Sequence, residues 1–262
     1  MPGHYHSIVA ASRDGAGDAA GGRYASVMAD STPASDTPAA FGDPIYREGV
    51  IELLGVIAYG ELSAFERLAE DAKLAPSLRD KAELAQMAQA ELGHFFGLRD
   101  RLESLGVDPY AAMEPFEESF TRFHVQTAPS DWLEGLVKAF VGDGLAADFY
   151  REIAAYLDVD TRALVLESLD GTGNSAFVVT RVREAIEADP TIAGRLALWG
   201  RRLMGEALSQ AQLVAAEHDG LTAVLVGGSD RAGGMDLAAI GRMFARMTEN
   251  HAGRMAELGL DS

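Results

Sequence analysis

The chain has 262 residues, 48% hydrophobic and 24% charged, with no cysteine and a formal net charge of −18. Disulfides and thiolate-bound zinc or iron–sulfur centres are therefore excluded. An acidic excess of this size also opposes general binding to nucleic acid or to an anionic membrane, which makes tRNA a doubtful partner on charge grounds. No apolar run approaches the roughly 18 residues that span a bilayer. The N-terminus lacks the charged region, apolar core and cleavage site of a signal peptide, so a cytoplasmic protein without membrane association is expected.

Residues 1–43 are rich in Gly, Ala, Ser, Asp and Pro, show no hydrophobic periodicity, and read as a disordered segment. Met28 opens the run MADSTPASDTP, so residues 1–27 read as an over-extended start, and His4 and His6 within them are given no role. From Pro44 to the end the pattern is that of one helical domain, 44–262, with no alternating run that would form a strand. Pro and Gly punctuation predicts six long helices. The first covers about Pro44–Leu74, stopped by Pro76, and the second Ser77–Leu105, ended by Gly106. A loop with Pro109 and Pro115 leads to a short helical piece, and the third helix follows over Asp131–Leu157, capped by Asp131. Asp160 caps a fourth that runs to Asp189, Pro190 starts a fifth that reaches Asp219, and a sixth covers Met235–Leu258 after the connector VGGSDRAGG. Helices of this length, apolar along one stripe, form an antiparallel bundle core with additional C-terminal helices.

The stripes are interrupted near their middles. The first reads Ile51, Leu54, Ala58, Glu61, Phe65, Leu68; the second Leu84, Met87, Glu91, His94, Leu98, Leu102; the third Leu136, Phe140, Asp143, Ala147, Tyr150, Leu157. An ionisable group inside a bundle is costly unless a partner or a metal compensates it. Glu91 and His94 share one face as Glu-x-x-His, and Glu61 lies 30 residues upstream on the preceding antiparallel helix. One carboxylate plus Glu-x-x-His from the neighbouring helix is half of the di-iron site of ferritin-like bundles. Oxygen and imidazole donors suit iron, with Mn or Zn as alternatives. A hydrogen-bonded network with no metal is the competing explanation. For the other half, Asp143 supplies a carboxylate, but the fourth helix carries Gly171 and Asn174 where a second Glu and His would stand. Glu167, Asp170 and Glu206 are the weaker substitutes, with Asn174 a poor ligand in its own right.

At these residues the sequence resembles the ferritin-like tRNA hydroxylases, specifically the actinobacterial MiaE-like branch. The likeness spans about Pro44 to Leu258. It is carried by AYGELSAFERLAEDA, AELGHFFGLRDRL, DWLEGLVKAFVGDGLAADFYREIA and LWGRRLMGEALSQAQLVAAE. It implies a ferritin-like four-helix core with extra helices, and O2-dependent hydroxylation of an isopentenyl group on a tRNA adenosine at a non-haem di-iron centre. It further implies that Glu61, Glu91 and His94 hold one iron, with Glu91 bridging, and that Asp143 approaches the second. Gly171 and Asn174 depart from that pattern.

Three functions follow from the residues. The first is a non-haem iron monooxygenase, an oxidoreductase served by an electron-donor protein, with Tyr59 and Tyr150 near the acids as core aromatics or hydrogen-bonding neighbours. The second is a mononuclear metal protein using Glu61, Glu91 and His94. The third is a catalytically inactive bundle that acts through its surface. Most of the acidic excess lies in residues 44–190, so any RNA-facing patch would draw on Arg195, Arg201, Arg202, Arg242, Arg246 and Arg254. His124 and His218 carry no functional signal, and His251 reads as a satisfied core histidine. The apolar faces of the last two helices leave homo-oligomerisation open.

Overall fold

The computed structural model describes residues 41–169, 175–226 and 237–262, and among them every regular element is helical. Three long helices set the frame: α1 (Pro44–Asp71), α2 (Leu78–Ser104) and, after the short α3 (Pro109–Met113), a 3-10 turn (Glu114–Phe116) and α4 (Glu117–Gln126), the helix α5 (Trp132–Ala154). Then come α6 (Val159–Glu167), α7 (Ser175–Ala188), a 3-10 turn (Pro190–Ile192) leading into α8 (Ala193–Glu217), α9 (Asp219–Val226) and α10 (Leu237–Glu257). Most of residues 1–43, the connector after Val226, and Asp170, Gly171 and Asn174 lie outside the described residues.

The starts of these helices follow from local chemistry. Asp43 accepts the Ile45 N–H (3.0 Å) ahead of Pro44, whose fixed φ suits a first helical position. Ser77 caps α2 by accepting the Asp80 N–H (3.1 Å), while its hydroxyl donates back to the Asp80 carboxylate (2.6 Å). Asp131 caps α5 through the Glu134 N–H (2.9 Å), and Arg195 of α8 reaches both Asp131 (2.7 Å) and Glu134. The same corner is tied again by the Trp199 indole N–H, which donates to the Glu134 carbonyl (2.9 Å).

Two expectations need correcting. The fourth helix is two elements, α6 and α7, and the cap is Asp158, which accepts the Thr161 N–H (3.1 Å), rather than Asp160. The intervening Gly171-Thr172-Gly173 has poor helix propensity, which an unbroken helix through 160–189 would have had to overcome. The fifth helix does not end the region at Asp219, because a separate helix, α9, follows. It lies on α1, where Gly49 and Gly220 come so close that a Cβ on Gly49 would overlap the Gly220 carbonyl, and the Leu221 N–H donates to Glu52 (2.6 Å). Leu221 and Val224 are thereby buried.

The apolar interior falls into two clusters. One holds the C-terminal end of α1 (Leu68), the N-terminal half of α2 (Leu84, Ala88), the N-terminal half of α5 (Leu136–Leu145), and residues of α7, α8 and α10. The other holds the first half of α1 (Val50–Ala58), the second half of α2 (Phe95–Leu102), the C-terminal half of α5 (Ala147–Leu157), and residues of α3, α6 and α9. Shared membership of opposite halves makes α1 antiparallel to both α2 and α5. Glu61 on α1, and Glu91 and His94 on α2, fall in the interval between the two clusters.

Candidate metal centre

Glu61, Glu91 and His94 converge. One potential ligand atom from each lies within 4.8 Å of the others, with His94 Nδ1 3.3 Å from Glu61 Oε2 and 3.7 Å from Glu91 Oε2. The side chains are 8%, 17% and 18% exposed for Glu61, Glu91 and His94, so the cluster is largely removed from water. The convergence follows from helix geometry: Glu91 and His94 stand one turn apart on the α2 face that packs on α1, and the antiparallel pairing brings Glu61 level with them.

Electrostatics within the cluster are those of acids short of a cation. Burial drives the Glu61 carboxyl up to about 8, aided by the shared hydrogen bond with Glu91 and opposed by the one with His94. Burial acts on Glu91 in the same direction, but hydrogen bonds with His94 and Glu61 outweigh it and leave this carboxyl below its ordinary value. Hydrogen bonds to Glu61 and Glu91 raise His94 to about 10. The Glu61 carboxyl and the His94 ring thus hold protons where a divalent ion would replace them, while Glu91 is a carboxylate already. Two carboxylates and an imidazole are donors of the type iron, manganese and zinc accept, so the residues fit a metal ion.

Asp143 on α5 lines the same cavity but is not part of the tight three-residue group. Burial, reinforced by the Glu91 charge, raises its carboxyl to about 6 against the pull of His94, Arg151 and Arg254. Tyr150, two turns along the same face of α5 from Asp143, is hydrogen-bonded to Glu61. Burial, then the charges of Glu61, Glu91 and Asp143, hold its phenol well above the ordinary value. Tyr59 does not join them: it stacks edge-on against Phe120 (5.3 Å between ring centres) and bonds to Thr121.

The weaker candidates separate. Glu167 lies on the exposed side of α6 because Thr161, Val165 and Ser168 occupy its inward face. Glu206 faces the Gln126 side-chain amide (2.5 Å) on the α4 side of α8. Asp170 and Asn174 lie outside the described residues. His251 is buried, yet neither ring nitrogen has a hydrogen-bond partner among the described residues, so it is not the satisfied core histidine expected.

The metal-facing acids border a cavity of about 310 Å³, walled by Val56, Ile57, Phe120, Ala146, Phe149 and Leu169. Arg67, Asp71, His124 and Lys138 line it as well, and sequence reasoning missed all four. A signal for Lys138 existed: Trp132–Ala154 is apolar on nearly every face, so a lysine in it has little solvent to reach.

The family described as "Ferritin-like domain, actinomycetes" matches residues 44–228. The chain belongs to this family. The fold of this chain is also similar to that of a solved structure, "Protein 19 with aldehyde deformylating oxidase activity from Synechococcus", to which it is 20% identical. The TM-score is 0.65, and the match covers 84% of this chain and 94% of that one. At this identity the likeness establishes the ferritin-like bundle. Comparison with curated proteins finds no match. No helix among the described residues is long and apolar enough to cross a membrane.

Proposed function

We propose that this ferritin-like protein is a non-haem iron oxidase that holds metal through Glu61, Glu91 and His94 and oxidises an apolar group bound in the adjoining cavity. The observation that carries the proposal is the convergence of those three ligand atoms beside a half-open, mainly apolar cavity that Glu61 and Glu91 line. Iron bound there would supply O2 activation, which side chains alone cannot perform. The chain's own residues do the rest. Glu61 and Glu91 provide two negative charges and His94 a neutral nitrogen once its proton leaves. Tyr150 fixes the Glu61 carboxylate by hydrogen bonding, and the walls of Val56, Ile57, Phe120 and Leu169 hold substrate and exclude water.

Support for an oxidase over a bare metal store comes from the cavity itself, and from the fold shared with a protein named for aldehyde deformylating oxidase activity. The finer assignment, hydroxylation of an isopentenyl adenosine in tRNA, draws on the motif likeness around Glu61, Glu91 and Asp143. A polyanionic substrate fits the net charge poorly. A mononuclear centre is the second reading, favoured by Asp143 standing apart from the three-residue group.

Metal analysis of the full chain produced under iron-replete conditions tests this. Wild type should carry iron and consume O2 when ferrous iron and reductant are supplied, and Glu91→Ala should lose nearly all metal. A wild-type protein that stays metal-free under those conditions overturns the oxidase and leaves an inactive bundle.

A further inference from the structure

The cavity is chemically two-ended. Along α1, Glu61 faces one end, and Arg67 lies six residues on, about 9 Å along the axis at 1.5 Å per residue. Along antiparallel α5, Asp143 and Lys138 repeat that displacement, five residues or about 7.5 Å apart. One end is therefore acidic and the other basic, with apolar wall between.

The basic end has donor capacity that the protein does not use. Lys138 is 8% exposed; its Nζ donates to the Thr127 carbonyl (2.8 Å) and lies 5.5 Å from the centre of the Phe123 ring. Among the described residues no carboxylate stands within ion-pair distance of it. Arg67 spends its terminal nitrogens on Glu70 (2.8 Å) and Glu66 (3.8 Å), while its buried Nε has no partner among the described residues. His124 Nε2 meets the Ser63 hydroxyl (2.7 Å), and its buried Nδ1 is likewise unpartnered. A ring that accepts the Ser63 hydroxyl proton at Nε2 presents N–H at Nδ1. Asp71 is the acid that lines this end of the cavity; its carboxylate lies against Gly135, and its charge acts on Lys138. Burying an ammonium with Asp71 beyond ion-pair distance, and two further polar atoms without partners, is unfavourable by the ordinary rules of the interior. A bound anion would satisfy all three.

We propose that Lys138, Arg67 and His124 form a carboxylate-binding end of the cavity, so that the ligand is an amphipathic acid: an apolar chain whose carboxylate sits at Lys138 and whose far end reaches Glu61 and Glu91. Burial, helped by the Arg67 charge and resisted by Asp71, lowers the Lys138 amine to about 8. An ammonium held at such a cost gains more from a bound carboxylate than a solvated one would. The proposal depends on the oxidase reading only for which end of the ligand reacts. The acidic end would repel the carboxylate, which sets the ligand's direction.

Calorimetric titration of metal-free, full-length protein with octanoate and with 1-octanol tests the anion end without involving iron. Octanoate should bind at least tenfold more tightly than 1-octanol. Lys138→Met should abolish that preference while leaving 1-octanol affinity and the metal content of iron-loaded protein unchanged. Arg67→Met, at a half-exposed side chain, should reduce the preference if Lys138→Met does not fold. Equal binding of the two compounds by wild type, or an undiminished preference in a folded Lys138→Met protein, overturns the proposal. Selective octanoate binding by a protein that never takes up iron keeps this inference and removes the oxidase. Iron uptake without octanoate selectivity does the reverse.

Discussion

His124 stays neutral where an exposed histidine would titrate. Burial first, then the charges of Lys138 and Arg67, depress its ring from the ordinary 6.5 to about 3. Between those values the unfolded chain binds a proton that the folded one refuses, so stability is fully present above about 6.5 and falls as pH drops towards 3. His124→Gln removes the titration and can keep one hydrogen bond to Ser63. Urea unfolding measured from pH 7 to pH 4 should show a shallower acid decline for the variant than for wild type. At this scale the sequence revealed the acids and concealed the bases. Glu61, Glu91 and His94 stood out because they interrupt apolar stripes. Arg67 and His124 look like any polar residue on a helix, since a cavity wall is made by several elements at once and has no period along one of them.

Among the elements, the long helices were legible because Pro44, Ser77, Gly106 and Asp131 mark their ends with caps and breakers whose chemistry is local. α9 was not, since its reason for existing lies in the Gly49 and Glu52 surface of α1, with Glu52 169 residues from the Leu221 N–H it accepts. Close packing of this kind also holds α3. A Cβ on Gly55 would overlap the Ala112 carbonyl and crowd Phe116, and the obstacle is backbone rather than a movable side chain. Gly55→Ala should therefore destabilise the protein by about 1–3 kcal/mol despite the better helix propensity of alanine. Thermal unfolding would register it as a clear fall in Tm, and an unchanged Tm would mean that α3 is free to move away.

For the molecule as a whole, the arginines that might have met RNA are largely occupied at home. Arg195 pairs with Asp131 and Glu134, Arg246 with Glu152, and Arg254 with Asp148, while Arg201 and Arg202 reach backbone carbonyls. Charge counting along the chain located these residues but could not see their partners, which come from distant helices.

The two hydrocarbon blocks described for the interior have a mechanical corollary. The helices α1, α2 and α5 run through both like rods through stacked discs, and the stratum between the discs is hollow and holds the buried acids. Such a stratum is where the molecule has least cohesion of its own, so whatever occupies it acts as mortar. Ferrous iron at one side and an amphipathic acid at the other should each raise the unfolding temperature of the entire bundle, by the equivalent of about 2.7 kcal/mol at a hundredfold excess over Kd. Scanning calorimetry with each added alone and then together would read the two contributions separately.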